Sequence, residues 1–216
     1  MQIIFFDVDG VLIDGYHFRP ELRKLWHKDL KADYGFEPEY FSGSFFVDHF
    51  LAEVLRGKKP LEDALSEWFA QEGRADINVD EFMQYWLEKD STLNAQLIES
   101  IKKLKNSGQV RLFIATNQAP NRAHYLMHDL GLKDLFEDMF YSSDIGAIKP
   151  ELAYFEHIRD TLGLTPDDRP ILFDDTPKVI EAAKNFGWDA YEFLTAESVH
   201  DCAFVRDILK GVEGWY

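Results

Sequence analysis

The chain has one cysteine, Cys202, in 216 residues. An internal disulfide is impossible, and no cysteine-based metal site can be built. No apolar run approaches the roughly 18 residues that a membrane-crossing helix needs, so no membrane span is expected. The first residues carry no basic stretch, no long apolar run and no small-residue cleavage site. No signal peptide is therefore expected, and a cytoplasmic location is the default. Basic residues are few: 23 Lys and Arg stand against 39 Asp and Glu, a net charge of −16. That balance argues against nucleic acid or an anionic membrane surface as partner, since both need a positive footprint. It leaves room for small anionic substrates, which a metal, a lysine and backbone amides can hold. The seven histidines show no H-E-x-x-H spacing, and there is no P-loop and no G-x-S-x-G elbow. His124 and His128 fall four apart on a helical pattern, without further ligands, and read as an exposed pair.

What is present is apolar mass and acid. Hydrophobic residues make up 46% of the chain, enough for a sizeable core and against disorder. The length suits one large domain, or one domain with an insertion. The most informative stretch is Ile3-Ile4-Phe5-Phe6-Asp7-Val8-Asp9-Gly10-Val11. A run of β-formers ends abruptly in two carboxylates and a glycine, as when a buried strand delivers charge to a sheet edge. Asp7 and Asp9 are two apart, so their side chains share one face of an extended chain. Such a pair can bind a divalent cation, or divide the roles of nucleophile and acid/base. A plain polar strand-to-turn junction would look the same.

Further strands are expected at Val110–Ala115, Met139–Ser142, Pro170–Phe173 and Trp188–Phe193, after a first one at Gln2–Phe6. Helical patterns cover Asn94–Asn106, Pro120–Leu130, Glu151–Leu162, Pro177–Phe186 and Ala196–Leu209. Gly108, Gly131, Gly163 and Gly187 lie just past helices, and Pro120, Pro150 and Pro177 suit helix starts. Strand and helix alternate from residue 94 onward, which argues a parallel sheet covered on both faces. The fold class is α/β: a Rossmann-like parallel sheet core with helices on both faces.

The interval from Gly15 to Asp90 breaks the alternation and shows no buried strand. It reads as helices at Pro20–Lys31, Phe45–Leu55, Leu61–Glu72 and Asp80–Lys89, punctuated by Gly35, Pro38, Gly57, Pro60 and Gly73. Its aromatics, from Trp26 to Trp86, mostly recur at helical spacing and read as a small core of their own. Those near Tyr40–Phe46 are also candidates to line a pocket. Residues 1–14 and 91–216 then form the sheet domain, and 15–90 an inserted helical domain.

Three more sites fall at strand ends. The second strand runs into Thr116-Asn117, able to bond a phosphate oxygen or to cap the next helix. The third is followed by Gly146-Ala147-Ile148-Lys149-Pro150. Lys149 is either a solvated surface lysine or a group that neutralises carboxylates and a transferring phosphoryl group. The fourth ends in Asp174-Asp175-Thr176-Pro177, where Asp175 or Thr176 could equally cap a helix. If these strands are neighbours, all four sites meet in the crevice outside the carboxyl ends of the sheet. Several carboxylates there need a cation and a lysine to coexist. All-oxygen ligands suit a hard ion such as magnesium.

Asp7-x-Asp9-Gly, Thr116-Asn117, Lys149-Pro150 and Asp174-Asp175, in this order, resemble the four motifs of the haloacid dehalogenase-like (HAD) hydrolase superfamily. The helical insertion after the first motif resembles the α-helical cap of the subfamily containing phosphoglycolate phosphatase and β-phosphoglucomutase. The resemblance implies a magnesium-dependent phosphatase acting on a small phosphorylated metabolite through an aspartyl-phosphate. Asp7 would be the nucleophile and Asp9 the acid/base. Thr116, with the Asn117 amide, would bind the phosphoryl oxygens, and Lys149 would offset the charge of nucleophile and phosphate. Magnesium would be held by the Asp7 carboxylate, the Asp9 main-chain carbonyl and Asp175, with Asp174 acting through water. The family's dehalogenases lack an aspartate at the position of Asp9, because a halide leaves without a proton. Its presence here points to phosphoryl transfer.

A mutase of the β-phosphoglucomutase type is the alternative. Tyr16-His17-Phe18-Arg19 resembles a stretch of those enzymes, though it lies closer to the first motif. A non-catalytic binding protein on the same fold is a third reading. It is disfavoured because nucleophile, acid/base, lysine and metal carboxylates are all present. Candidate specificity residues are His17, Arg19, Ser42-Gly43-Ser44, His49 and Arg56-Gly57-Lys58-Lys59, each of which also reads as a surface or capping group. A monomer or weak dimer is expected, with a small phosphorylated molecule as its partner.

Overall fold

The computed structural model describes residues 1–213; the last residues of the expected sheet domain, 214–216, lie outside the described part. Five strands form one parallel sheet: β1 (Gln2–Phe6), β2 (Val110–Thr116), β3 (Asp138–Tyr141), β4 (Ile171–Asp174) and β5 (Asp189–Glu192). Their order is β3-β2-β1-β4-β5, with every neighbouring pair parallel. The chain moves outward from β1 first on one side and then on the other. The strand order therefore reverses beside β1, where ligands of open α/β sheets bind.

Period-two alternation divides the sheet into two dry faces. Ile4, Phe6, Leu112, Ile114, Ile171 and Phe173 point to one side, against Leu97, Ile101 and Leu104 of helix Ala95–Asn106 and Val205 and Leu209 of helix Ala203–Glu213. Phe5, Phe113, Ala115, Leu172 and Ala190 point to the other, against Tyr154, Phe155 and Ile158 of helix Leu152–Leu162 and Val179 and Ala183 of helix Pro177–Asn185. Both faces are buried, so the strands read as apolar runs rather than as alternating ones.

The segment between β1 and residue 94 has a separate core built around Phe41, Phe45, Phe50, Leu65, Trp68, Phe69, Phe82 and Trp86. Ala119 and Ile148 of the sheet domain join this cluster. The helical segment thus packs directly beside the residues that follow β2 and β3. Its two connections run side by side: Ile13 pairs antiparallel with Leu93, Asp14 N–H donates to Thr92 O at 2.8 Å, and Asn94 N–H donates to Leu12 O at 2.9 Å.

Helices Leu61–Gln71 and Val79–Lys89 fall where the pattern placed them. The others in this segment are corrected. Instead of one helix over Pro20–Lys31 there are two short 3₁₀ turns, Pro20–Leu22 and Trp26–Asp29, then a short helix Leu30–Tyr34. The chain before them is held extended by bonds to the sheet domain, such as His17 to Phe193 O, and a helix cannot start there. Instead of a helix at Phe45–Leu55, a short helical turn at Pro38–Phe41 runs into a π helix, Ser42–Phe50, with more residues per turn than an α-helix, and a 3₁₀ turn, Val54–Arg56. This winding brings Phe41, Phe45, Phe46 and Phe50 all against Trp86, with ring centroids 6.1, 6.3, 5.2 and 5.3 Å away. Aromatic packing outweighs the ordinary helical repeat in this stretch. Pro120–Leu130 also widens after His124, and Ala196–Leu209 breaks at Cys202, where the backbone is extended.

Candidate active site

The strand register assembles the site. Phe6 pairs with Ile114 on one side and Phe173 on the other. One residue further, the Asp7 N–H continues the ladder to Phe173 O at 3.0 Å. Asp7 is thereby set beside Asp174, at the carboxyl edge of the two central strands.

Lys149, on the loop after β3, closes the group. Its ammonium lies 2.6 Å from Asp174 Oδ2, 2.8 Å from Ala115 O and 2.9 Å from Asp7 Oδ1. Three acceptors match the three donors of an ammonium. Lys149 is only 4% exposed and Asp174 fully buried. It is not a surface lysine. Its two carboxylates outweigh burial and raise its proton affinity. Burial pushes Asp7 up to about 7, with Lys149 opposing the rise and Asp174 adding to it.

Asn117 works through its side chain. Oδ1 accepts from Lys149 N–H at 2.8 Å and Nδ2 donates to Lys149 O at 3.1 Å, a two-bond clamp on the lysine's backbone. Thr116 ends β2 and is buried. Neither caps the following helix, whose N-cap is Ala119. The capping alternative for Asp175 and Thr176 is not realised either: Thr176, the N-cap of helix Pro177–Asn185, makes no side-chain cap bond.

Asp7, Asp174 and Asp175 each present an oxygen within 4.8 Å of the others. Three buried carboxylates against one ammonium leave two negative charges, which a divalent cation would balance. The donors are all oxygen, as hard cations prefer. The oxygens are not equally available. Asp174 is already engaged twice, by Lys149 on Oδ2 and by Thr176 N–H on Oδ1 at 2.9 Å. Asp7 Oδ1 takes both Lys149 and the Val8 N–H, at 2.7 Å, and Oδ2 takes neither.

Asp175 is fixed from the far side. Its Oδ2 accepts from Phe18 N–H at 2.5 Å, and its Oδ1 from Thr176 Oγ1 at 3.0 Å. His17 lies behind that contact, buried, with Nδ1 accepting from Arg19 N–H at 3.0 Å and Nε2 facing Phe193 O at 3.2 Å. The bond from Arg19 makes Nδ1 the acceptor, which places the proton on Nε2. Gly10, at φ +76°, is required by the same geometry: a Cβ there would stand 2.6 Å from Asp175 Oδ2.

Most of the other specificity candidates are engaged within the protein. Arg19 pairs with Glu192 at 2.7 Å. Ser42 Oγ bonds His27 Nε2 at 3.0 Å, Ser44 Oγ accepts from Trp68 Nε1 at 2.8 Å, and His49 stacks on Phe45. Arg56 donates two hydrogen bonds to the Glu151 carboxylate, at 2.7 and 3.2 Å, tying the helical segment to the sheet domain, while Lys59 pairs with Glu53 and Glu67. His124 and His128 are exposed, with ring centroids 4.5 Å apart. A cleft of about 630 Å³ lies between the two parts of the chain, against Gly57, Gln84, Asn121 and His124, and no residue of the acidic cluster lines it.

Two residues beside Asp9 are absent from the sequence reading. Gln118 Nε2 donates to Asp9 Oδ2 at 2.6 Å, and Arg122 Nη1 lies 2.8 and 2.9 Å from the two Asp9 oxygens. Both are buried. The available signal was their spacing of four, one helical turn apart just after Thr116-Asn117.

The model for haloacid dehalogenase-like hydrolases matches residues 1–187. Among solved structures, a HAD family enzyme from Bacteroides thetaiotaomicron superposes with a TM-score of 0.71 at 15% identity, over 89% of this chain and 93% of that one. The same enzyme has been solved with magnesium and inorganic phosphate (TM-score 0.71, 16% identity, the same coverage). A HAD-like family hydrolase from Porphyromonas gingivalis gives 0.66 at 22% identity, over 89% and 90%. L-2-haloacid dehalogenase from Xanthobacter autotrophicus gives 0.64 at 18%, over 94% and 82%. At these identities the superpositions speak for the fold, and the family match spans most of the chain. The chain belongs to the haloacid dehalogenase-like hydrolases.

Proposed function

We propose that this hydrolase is a magnesium-dependent phosphatase that cleaves a small phosphomonoester through a phosphorylated Asp7. The observation that carries the reading is the charge arrangement around Lys149, which touches both Asp7 and Asp174 in a buried site rich in carboxylates. A carboxylate attacks a phosphate only where cations offset their repulsion. Magnesium would be held by Asp7 Oδ2, the Asp9 carbonyl and Asp175, with Asp174 engaged through water, and it would supply charge neutralisation for nucleophile and phosphoryl group. A neighbour of the same fold has been solved in complex with magnesium and inorganic phosphate, which supports a magnesium-dependent phosphate chemistry.

Asp7 attacks phosphorus as the ester oxygen departs, and Asp9 gives that oxygen a proton. Asp9 then takes a proton from water, which attacks phosphorus and frees Asp7. Lys149 holds Asp7 in place, and the Asn117 clamp holds Lys149. Thr116 and the Asn117 amide receive phosphoryl oxygens. Asp9 separates this reading from dehalogenation, where the leaving halide needs no acid. Residues 15–90 act as a cap over the site, seated on Ala119 and Ile148 and tied by Arg56 to Glu151.

The test is release of inorganic phosphate from a panel of phosphorylated metabolites, with magnesium and with chelator. Release should need magnesium and should fall by several orders of magnitude in Asp7→Asn, which keeps its fold. Turnover surviving in that variant would overturn the assignment of Asp7.

A further inference from the structure

Arg122 is a buried cation with two separate duties. Its Nη1 faces both oxygens of Asp9. Its Nη2 donates to the backbone carbonyl of Asp90 and lies 3.6 Å from the Asp90 carboxylate. Its Nε has no partner, so the guanidinium is bound through its two outer nitrogens alone. Asp90 directly follows helix Val79–Lys89 and stands where the helical segment returns to the sheet domain. Trp86, in the core of that segment, donates its Nε1–H to Asp90 Oδ2 at 3.0 Å. A contiguous chain therefore runs from Trp86 through Asp90 and Arg122 to Asp9.

We infer that Arg122 is a positioning residue that couples the seating of residues 15–90 to the aim of the Asp9 carboxylate. This rests on the reading of Asp9 as the acid/base. The guanidinium is planar and rigid, with donors in a fixed fork. If the return crossing shifts, either the bond to Asp90 O breaks or the guanidinium turns and leaves Asp9. Breaking it strands a buried donor and acceptor, which is costly. The two ends therefore move together, and Asp9 is held in one orientation only while Asp90 is in place. Gln118 alone, with one bond to Asp9 Oδ2, does not fix the carboxylate plane. The device keeps Asp9 aimed for acid/base chemistry only while the helical segment is seated on the sheet domain.

The test uses the full chain with magnesium and four forms: wild type, Arg122→Lys, Asp9→Asn and the double variant. Thermal melts first establish that each is folded. Arg122→Lys keeps the charge and loses the fork. Release of the leaving group in the first turnover, before water attacks the phosphorylated Asp7, is measured on an alkyl phosphomonoester, whose leaving group needs a proton, and on p-nitrophenyl phosphate, whose leaving group hardly does. Arg122→Lys should slow the alkyl ester about 100-fold and the aryl ester less than tenfold, consistent with general-acid contributions. It should add nothing to Asp9→Asn. Equal losses on both esters, or full additivity in the double variant, would overturn the coupling.

A second readout needs no turnover. Spin labels at Asp63→Cys and Asn106→Cys, both exposed positions on the two parts of the chain, report their separation, and the Asp9 ¹³Cγ resonance reports its orientation. Arg122→Lys should broaden the distance distribution and shift that resonance. Both unchanged would sink the inference. If wild type hydrolysed neither ester, the phosphatase reading would fail, and this second readout would still decide the coupling.

Discussion

The Lys149 ammonium stands between Asp7 and Asp174, 2.9 Å from one and 2.6 Å from the other, and all three are almost without solvent. Removing the lysine leaves two buried carboxylates facing each other. Lys149→Met, close in length and uncharged, should destabilise the metal-free protein by about 3–5 kcal/mol at neutral pH. Part of that loss should return on acidification, as the carboxylates take up protons. Urea unfolding at pH 7 and pH 5 checks both statements, and a stable variant at pH 7 would contradict them.

The same charge balance predicts that a divalent cation stabilises the fold. Magnesium at a hundred times its dissociation constant adds about 2.7 kcal/mol to unfolding free energy. Asp175→Asn should largely abolish the effect, since Asp175 is the carboxylate of the cluster that Lys149 does not neutralise, held there by Thr176 and Phe18 with His17 behind them. Thermal melts with and without magnesium decide it. An equal rise in wild type and variant would move the ion elsewhere.

Gly57 is a contact point between the helical segment and the sheet domain. At φ +66° it needs the freedom of glycine, and a Cβ would fall 2.1 Å from Ser143 O. Gly57→Ala should cost about 1–3 kcal/mol from the left-handed backbone alone. The clash adds to this and pushes residues 15–90 away from the loop after β3. Faster limited proteolysis of this segment, with helix content retained, is the expected outcome; an unchanged cleavage rate would show that the close approach is relaxed in solution.

Asp90 gives a pH dependence of known sign. Burial raises its carboxyl from 3.8 to about 6, Arg122 opposing the rise. The folded chain therefore keeps a proton that the unfolded chain has released. The stabilisation from this group is complete below about pH 4 and is lost as pH rises through about 6. In metal-free protein, the stability difference between wild type and Asp90→Asn should shift in wild type's disfavour across that window. A difference that stays flat would mean that Arg122 keeps Asp90 ionised throughout.

The sheet was legible because both of its faces are buried. The central strands β1, β2 and β4 are short, largely apolar runs closed by polar residues, and glycines follow the helices between the strands. The acidic cluster was legible for the same reason, since Asp7 and Asp174 interrupt runs that nothing local explains. The helical segment was less so. Phe41, Phe45, Phe46 and Phe50 fit an α-helix by spacing, but their common packing on Trp86 selects a π helix. His17 and Arg19 read as candidate specificity residues, yet His17 lies behind Asp175 beside the Phe18 N–H that bonds it, and Arg19 pairs with Glu192.

By itself the sequence determined the strands of the sheet, their parallel alternation with helices and the chemistry gathered at the strand ends, because these follow from local pattern and from side-chain type. Only the tertiary structure decided which oxygens are already taken, that Asn117 grips the backbone of Lys149, and that Arg122 joins Asp9 to Asp90, 81 positions apart in the chain. Those are bonds between residues distant in sequence. Their geometry is set by strand register and by the seating of one core against another, and neither is written in any single stretch of the chain.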